Sequence, residues 1–176
     1  MAFKRINYNE SIKYYLKDYL KYKRKECHVN TFQKFFDYNI EEIENNEKAF
    51  KYVIGLLIND STGNAVCYIH SWIEKNNSVV DVTPFANMYI SSPEQLVENE
   101  YKEFVRQVNE SRYMPLKTVS NANLNKELNN LLRSGDDLQK PGKTMEKLIR
   151  QWIEEAEKDH IIPEIVRKNG LKFIDN

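Results

Sequence analysis

The chain has little that is reactive and little that breaks structure: two cysteines, three histidines, five glycines and five prolines in 176 residues. It shows no internal repeat and no low-complexity tract. It has no net charge, because 26 basic residues balance 26 acidic ones. That excludes the basic excess usual in a protein whose main task is nucleic-acid binding. No apolar run approaches the length needed to span a bilayer, so no membrane partner is expected. The first 25 residues hold no apolar stretch of signal-peptide length, and the chain is expected in the cytoplasm. Two cysteines in that reducing compartment are not expected to pair, so each requires its own explanation.

What is present is the mixture of a globular protein, with 41% hydrophobic and 30% charged residues. Ile12, Leu16, Tyr19 and Leu20 fall at helical spacing, and Asn9 or Ser11 is the expected cap. A second helix is expected from Cys27 onward, carrying Phe32, Phe35 and Phe36. Residues 52–58, 65–73 and 79–83 read as three antiparallel strands separated by turn-forming clusters. Ser92-Pro93-Glu94 reads as a helix start. Leu124, Leu128, Leu131 and Leu132 mark another helix, and Leu148, Ile149, Trp152, Ile153 and Ala156 a long amphipathic one. A last short helix is expected within residues 161–166. The class is therefore α+β. A core of helices and a three-stranded sheet occupies residues 1–91, with a helical extension over 92–176 packed on the same domain.

Thiol catalysis needs an ionised sulfur, a base within reach of it and a group that orients the base. Cys27 stands where a basic helix ends and a new helix begins, so the helix dipole would stabilise its thiolate and its outward backbone N–H would form half of an oxyanion hole. His70 and Asp81 lie on consecutive strands. With a turn at Asn76-Asn77, Lys75 pairs with Ser78 and Trp72 with Asp81, which makes His70 and Asp81 diagonal neighbours on one face. A turn at Lys75-Asn76 would set them directly opposite. Trp72 shares that face and would shield the imidazole.

The order Cys, His on a strand, Asp on the next strand resembles the transglutaminase-like branch of the papain-like thiol enzymes. His70-Ser-Trp-Ile-Glu74 and Val79-Val-Asp-Val-Thr83 are similar to its His-x-Trp-x-Glu and Val-x-Asp-x-Thr segments. Cys27-His28-Val29-Asn30 and Tyr52-Val-Ile-Gly55 resemble the Cys-x-x-Asn helix start and Tyr-Val-x-Gly strand of small bacterial and phage members. The resemblance covers roughly residues 26–90. It implies a small antiparallel sheet packed on the Cys-bearing helix, with extra helices at both ends. It also implies a nucleophile (Cys27), a base (His70), an orienter (Asp81) and no cofactor.

The implied activity is cysteine-dependent hydrolysis or acyl transfer at a peptide, glutamine-amide or ester carbonyl, with a protein or peptide as substrate. No Gln precedes Cys27 to complete an oxyanion hole; Tyr19, Tyr22 and Asn30 are the open alternatives, with Trp72 as a further substrate contact.

Cys67 has the opposite strand parity to His70 and reads as core. His28 neighbours Cys27 on a helix, where adjacent positions do not face each other, and is expected to be an exposed, poor base. His160 reads as a surface residue. Cys27, His28, Cys67 and His70 have no recognised metal-ligand spacing, so no metal is expected. Lys13 to Lys25, basic with interleaved tyrosines, is the sole hint of a nucleic-acid surface and reads as the solvated face of an amphipathic helix. The alternative to an enzyme is a catalytically silent binding or inhibitory module, such as a phage or mobile-element protein acting on a host macromolecule.

Overall fold

The unbroken apolar run at residues 50–58 folds as a strand covered on both faces, and the other elements are arranged about it. The computed structural model describes residues 3–23, 25–42, 50–59, 65–88, 99–120, 123, 126, 130, 141–159 and 162–174. In chain order, the described residues form β1 (Lys4–Arg5), α1 (Tyr8–Lys17), a 3-10 turn (Tyr19–Lys21) and α2 (Cys27–Glu42). Next come β2 (Phe50–Asn59), β3 (Val66–Lys75), β4 (Ser78–Val80), α3 (Thr83–Asn87) and α4 (Asn99–Glu110). The remainder is β5 (Arg112–Ser120), α5 (Pro141–Asp159), α6 (Ile162–Lys168) and β6 (Lys172–Phe173). The helix expected around Leu124 to Leu132, the start at Ser92-Pro93 and His160 lie outside the described residues.

The fold is mixed α and β. One six-stranded sheet runs β1-β5-β2-β3-β4, with β6 added to β3. All its pairings are antiparallel except β3–β6. The sheet thus holds twice the three strands expected. β5, from the second half of the chain, lies between β1 and β2, so the sheet crosses the expected division at residue 91. Residues 4–7 join both edges. Lys4 and Arg5 pair with β5, while Ile6 bridges Val79 and the Asn7 N–H donates to the Val79 carbonyl at 2.8 Å.

Strand alternation sorts the core into two layers. Tyr52, Ile54, Leu56, Cys67 and Ile73 pack with Phe32 and Phe35 of α2 and Leu148 and Trp152 of α5. Val53, Leu57, Trp72 and Tyr113 pack with Tyr15 of α1 and Phe85 of α3. Each large side chain so buried contributes about 1.5–3 kcal/mol.

Gly55 is required on this second face. A Cβ there would stand 2.1 Å from the Met114 carbonyl oxygen and 2.6 Å from the Trp72 ring. Gly55 pairs with His70 on one side and with Pro115 on the other, where a bulge in β5 shifts the register.

The β3–β4 hairpin turns at Asn76 and Asn77, whose φ values of 48° and 65° fit a primed two-residue turn. Lys75 pairs with Ser78, Glu74 with Val79 and Ile73 with Val80, the first of the two expected registers. Two expectations for α1 are corrected. Its cap is Asn7, whose side chain accepts from the Glu10 N–H at 3.2 Å. Leu20 is 85% exposed, because α1 stops at Lys17 and the 3-10 turn rotates the chain out of helical phase.

Candidate active site

β4 pairs with β3 only at Ile73–Lys75, and β6 only at Val66–Cys67. Among the described residues, 68–72 of β3 therefore have no strand partner on that side. The first turn of α2 fills the gap: Thr31 Oγ1 donates to the Ser71 carbonyl at 2.9 Å, satisfying an edge acceptor that a strand would otherwise take. A helix end docked on a strand edge can meet side chains from both faces of the sheet. Here those side chains are His70 and Ser71.

The loop before Cys27 is held at two points. Asn30 grips the backbone of Lys23, accepting from its N–H at 2.8 Å and donating to its carbonyl at 2.7 Å. The Lys25 N–H donates to Asn87 Oδ1 at 2.9 Å, which ties the loop to α3 while Lys25 adopts a positive φ of 60°. Helix α2 then begins at Cys27 as expected, with the Asn30 N–H bonded to the Glu26 carbonyl.

His70 Nε2 lies 2.6 Å from Asp81 Oδ2, and both side chains are buried. Two further groups fix the carboxylate, and a third holds the Asp81 backbone. Tyr113 donates its hydroxyl to Oδ2 at 2.9 Å, and the Thr83 N–H donates to Oδ1 at 3.0 Å. Ser11 Oγ accepts the Asp81 N–H at 3.1 Å. Burial acts against a charged imidazole, but the Asp81 carboxylate and the Cys27 sulfur raise the His70 pKa well above its ordinary value. Nδ1, the ring nitrogen not engaged by Asp81, has no hydrogen-bond partner of regular geometry among the described residues and is the one left for the thiol.

Cys27 is partly exposed. Desolvation pushes its thiol up, but the His70 charge, hydrogen bonding from His28 and His70, and the His28 charge together lower its pKa to about 5. Cys67 is fully buried among the α2-side residues, and burial pushes its thiol up.

His28 departs from expectation. It is half-buried, its Nδ1 lies 2.5 Å from Ser71 Oγ, and its ring interacts with the Cys27 sulfur. Ser71 in turn accepts the Tyr52 hydroxyl at 3.0 Å. Strand parity sets Ser71 on the face opposite His70, and only the docked helix end makes the two converge. Ser71, Tyr113 and Ser11 carry no signal in the sequence that would have singled them out.

The weaker expectations are redistributed. Asn30, anticipated as an oxyanion donor, holds the preceding loop instead. Tyr22 is buried and stacks on Tyr15 at 5.7 Å, within the core layer of α1 and α3. Trp72 is fully buried, edge-on to Tyr113 at 5.2 Å, and Tyr113 lies beside His70. Trp72 thus backs the imidazole from inside rather than facing a substrate. A cleft opens on His70, lined by Tyr68, Thr83, Asn87, Phe104 and Gln107.

No protein-family model, curated protein or solved structure matches the chain. Among the described residues, no group of three or more His, Cys, Asp or Glu is placed to hold a metal ion. No described helix is long and apolar enough to cross a membrane.

Proposed function

We propose that the protein is a papain-like or transglutaminase-like thiol enzyme, a hydrolase or acyltransferase acting on a carbonyl of a protein or peptide. The observation that carries this reading is a partly exposed thiol at a helix start, beside an imidazole whose far nitrogen is held at 2.6 Å by a buried carboxylate. A structural cysteine requires no such partners, and among the described residues burial alone acts on the Cys67 thiol.

The Cys27 thiolate adds to the carbonyl carbon, and the π electrons move to oxygen. Collapse restores the C=O bond and expels the leaving amine or alcohol, which takes the proton from His70 Nδ1. His70, neutral and held by Asp81, then removes a proton from water or an acceptor amine, whose attack releases the acyl group and restores the thiolate.

The test is mass spectrometry of the full chain after brief exposure to an activated ester, with peptide mapping. An acyl adduct on Cys27 that is absent in Cys27→Ala, and formed far more slowly in His70→Ala, is expected. Equal modification of Cys27 and Cys67 would refute the reading. Retention of full biological activity by Cys27→Ala would favour the silent binding module.

A further inference from the structure

On the thiol-enzyme reading the Cys27 backbone N–H is one oxyanion donor; no Gln precedes Cys27 to be the second, Asn30 is spent on the Lys23 backbone and Tyr22 is buried against Tyr15. We propose that His28, through its Nε2–H, is that second donor.

The inference rests on the thiol-enzyme reading, and its own support is the hydrogen-bond chain behind the ring. Tyr52 is fully buried, and burial raises its phenol far above its ordinary pKa, so it keeps its proton and donates it to Ser71 Oγ. Ser71 has one hydroxyl hydrogen. Its oxygen accepts from Tyr52, and its own hydrogen can be given to His28 Nδ1, 2.5 Å away, which is the arrangement the assignment requires. A neutral imidazole that accepts at Nδ1 carries its proton on Nε2. A charged imidazole carries protons on both nitrogens. In each of these states Nε2 carries an N–H, the group left to meet the Cys27 sulfur in the resting site.

That N–H belongs to the residue immediately after the nucleophile, on the helix turn docked against the edge of β3. When the sulfur adds to a carbonyl, the new oxyanion forms one bond from the carbon that sulfur attacks. On this assignment the Cys27 N–H and the His28 ring meet it, and His70 is left to serve the leaving group. Two histidines beside one thiol would then have different tasks, set by their partners. The Asp81 carboxylate favours a charged ring at His70, whereas a neutral hydroxyl holds the tautomer of His28.

The experiment separates acylation, which develops an oxyanion, from alkylation, which does not. Rates at Cys27 are measured for 4-nitrophenyl acetate and for iodoacetamide in the full-length wild type, His28→Ala, His28→Gln and Ser71→Ala, with Cys27→Ala as the blank. Folding of each variant is checked by circular dichroism. In His28→Ala the ratio of acylation to alkylation is expected to fall by about 10²–10³, the usual loss for one oxyanion donor. His28→Gln, which keeps an N–H, is expected to recover part of that ratio. Ser71→Ala, which frees the tautomer, is expected to lower it by a smaller factor. Nitrogen-15 NMR of the wild type is expected to show His28 protonated on Nε2.

An unchanged ratio in His28→Ala, or a proton on Nδ1 alone, would overturn the assignment while leaving Cys27 as nucleophile. Acylation undiminished in Cys27→Ala would overturn the thiol-enzyme reading as well.

Discussion

Replacing His70 with Gln removes the imidazolium while leaving an amide N–H to donate to Asp81. The largest influence lowering the Cys27 pKa to about 5 is the His70 charge, followed by hydrogen bonding from His28 and His70. Without His70 the thiol is expected to return toward an ordinary value of about 8.5. At pH 6 about nine-tenths of the wild-type sulfur is thiolate, against roughly 0.3% in the variant, a ratio near 300. A more basic thiolate is also a better nucleophile. With a Brønsted coefficient of about 0.4–0.5, a shift of about 3.5 pKa units returns a factor of roughly 25–55.

The two factors oppose each other below neutrality, so the variant should react with a neutral aromatic disulfide only about tenfold more slowly at pH 6. At pH 9 both are largely thiolate, and the variant should react roughly thirtyfold faster. The assay is the release of the chromophoric thiol across pH 4–9, corrected with Cys27→Ala. A crossing of the two profiles is expected between those limits. Parallel profiles with one midpoint would show that His70 does not ionise Cys27.

Other perturbations reach the supports of the site. Asp81→Asn removes the charge that raises the His70 pKa, so the imidazole loses its proton at lower pH; the alkaline limb of acyl transfer should move down while the acid limb moves up toward neutrality. Asn30→Ala breaks two bonds to the Lys23 backbone, leaves those groups poorly satisfied and should cost about 1–3 kcal/mol in urea unfolding. Gly55→Ala sets a methyl against the Met114 carbonyl and the Trp72 ring and should lower stability by about 1–3 kcal/mol in thermal unfolding. An unchanged melting temperature would contradict the close approach at Gly55. Asn77→Val forces a β-branched residue to a φ of 65° and should destabilise the hairpin by about 1–3 kcal/mol, whereas Asn77→Gly should not.

The parts of the site that depend on local rules were legible. Strand alternation and a two-Asn turn put His70 and Asp81 on one face, and their 2.6 Å bond follows from that arithmetic. The helix start at Cys27 also follows from the chain itself. Contacts made by docking were not legible. His28 and Ser71 are unconnected when read along the chain, because one follows Cys27 on a helix and the other alternates away from His70. They meet only because α2 docks on the edge of β3.

β5 is hidden for another reason. Pro115 argues against an interior strand, yet a bulge accommodates it and Tyr113 reaches Asp81 from that strand. The two-residue strands β1 and β6 are too short to leave any periodicity. The transglutaminase-like resemblance supplied the order of the three catalytic candidates, and it contained nothing about His28.

The most direct measurement is the ionisation of Cys27 in the unmodified chain, followed through the chemical shift of its carbon-13-labelled Cβ as pH is raised. A midpoint near pH 5 is expected, together with a Cys67 signal that stays in its thiol form well past neutrality. A Cys27 midpoint at or above about 8.5, the value of an unassisted thiol, would contradict the central claim.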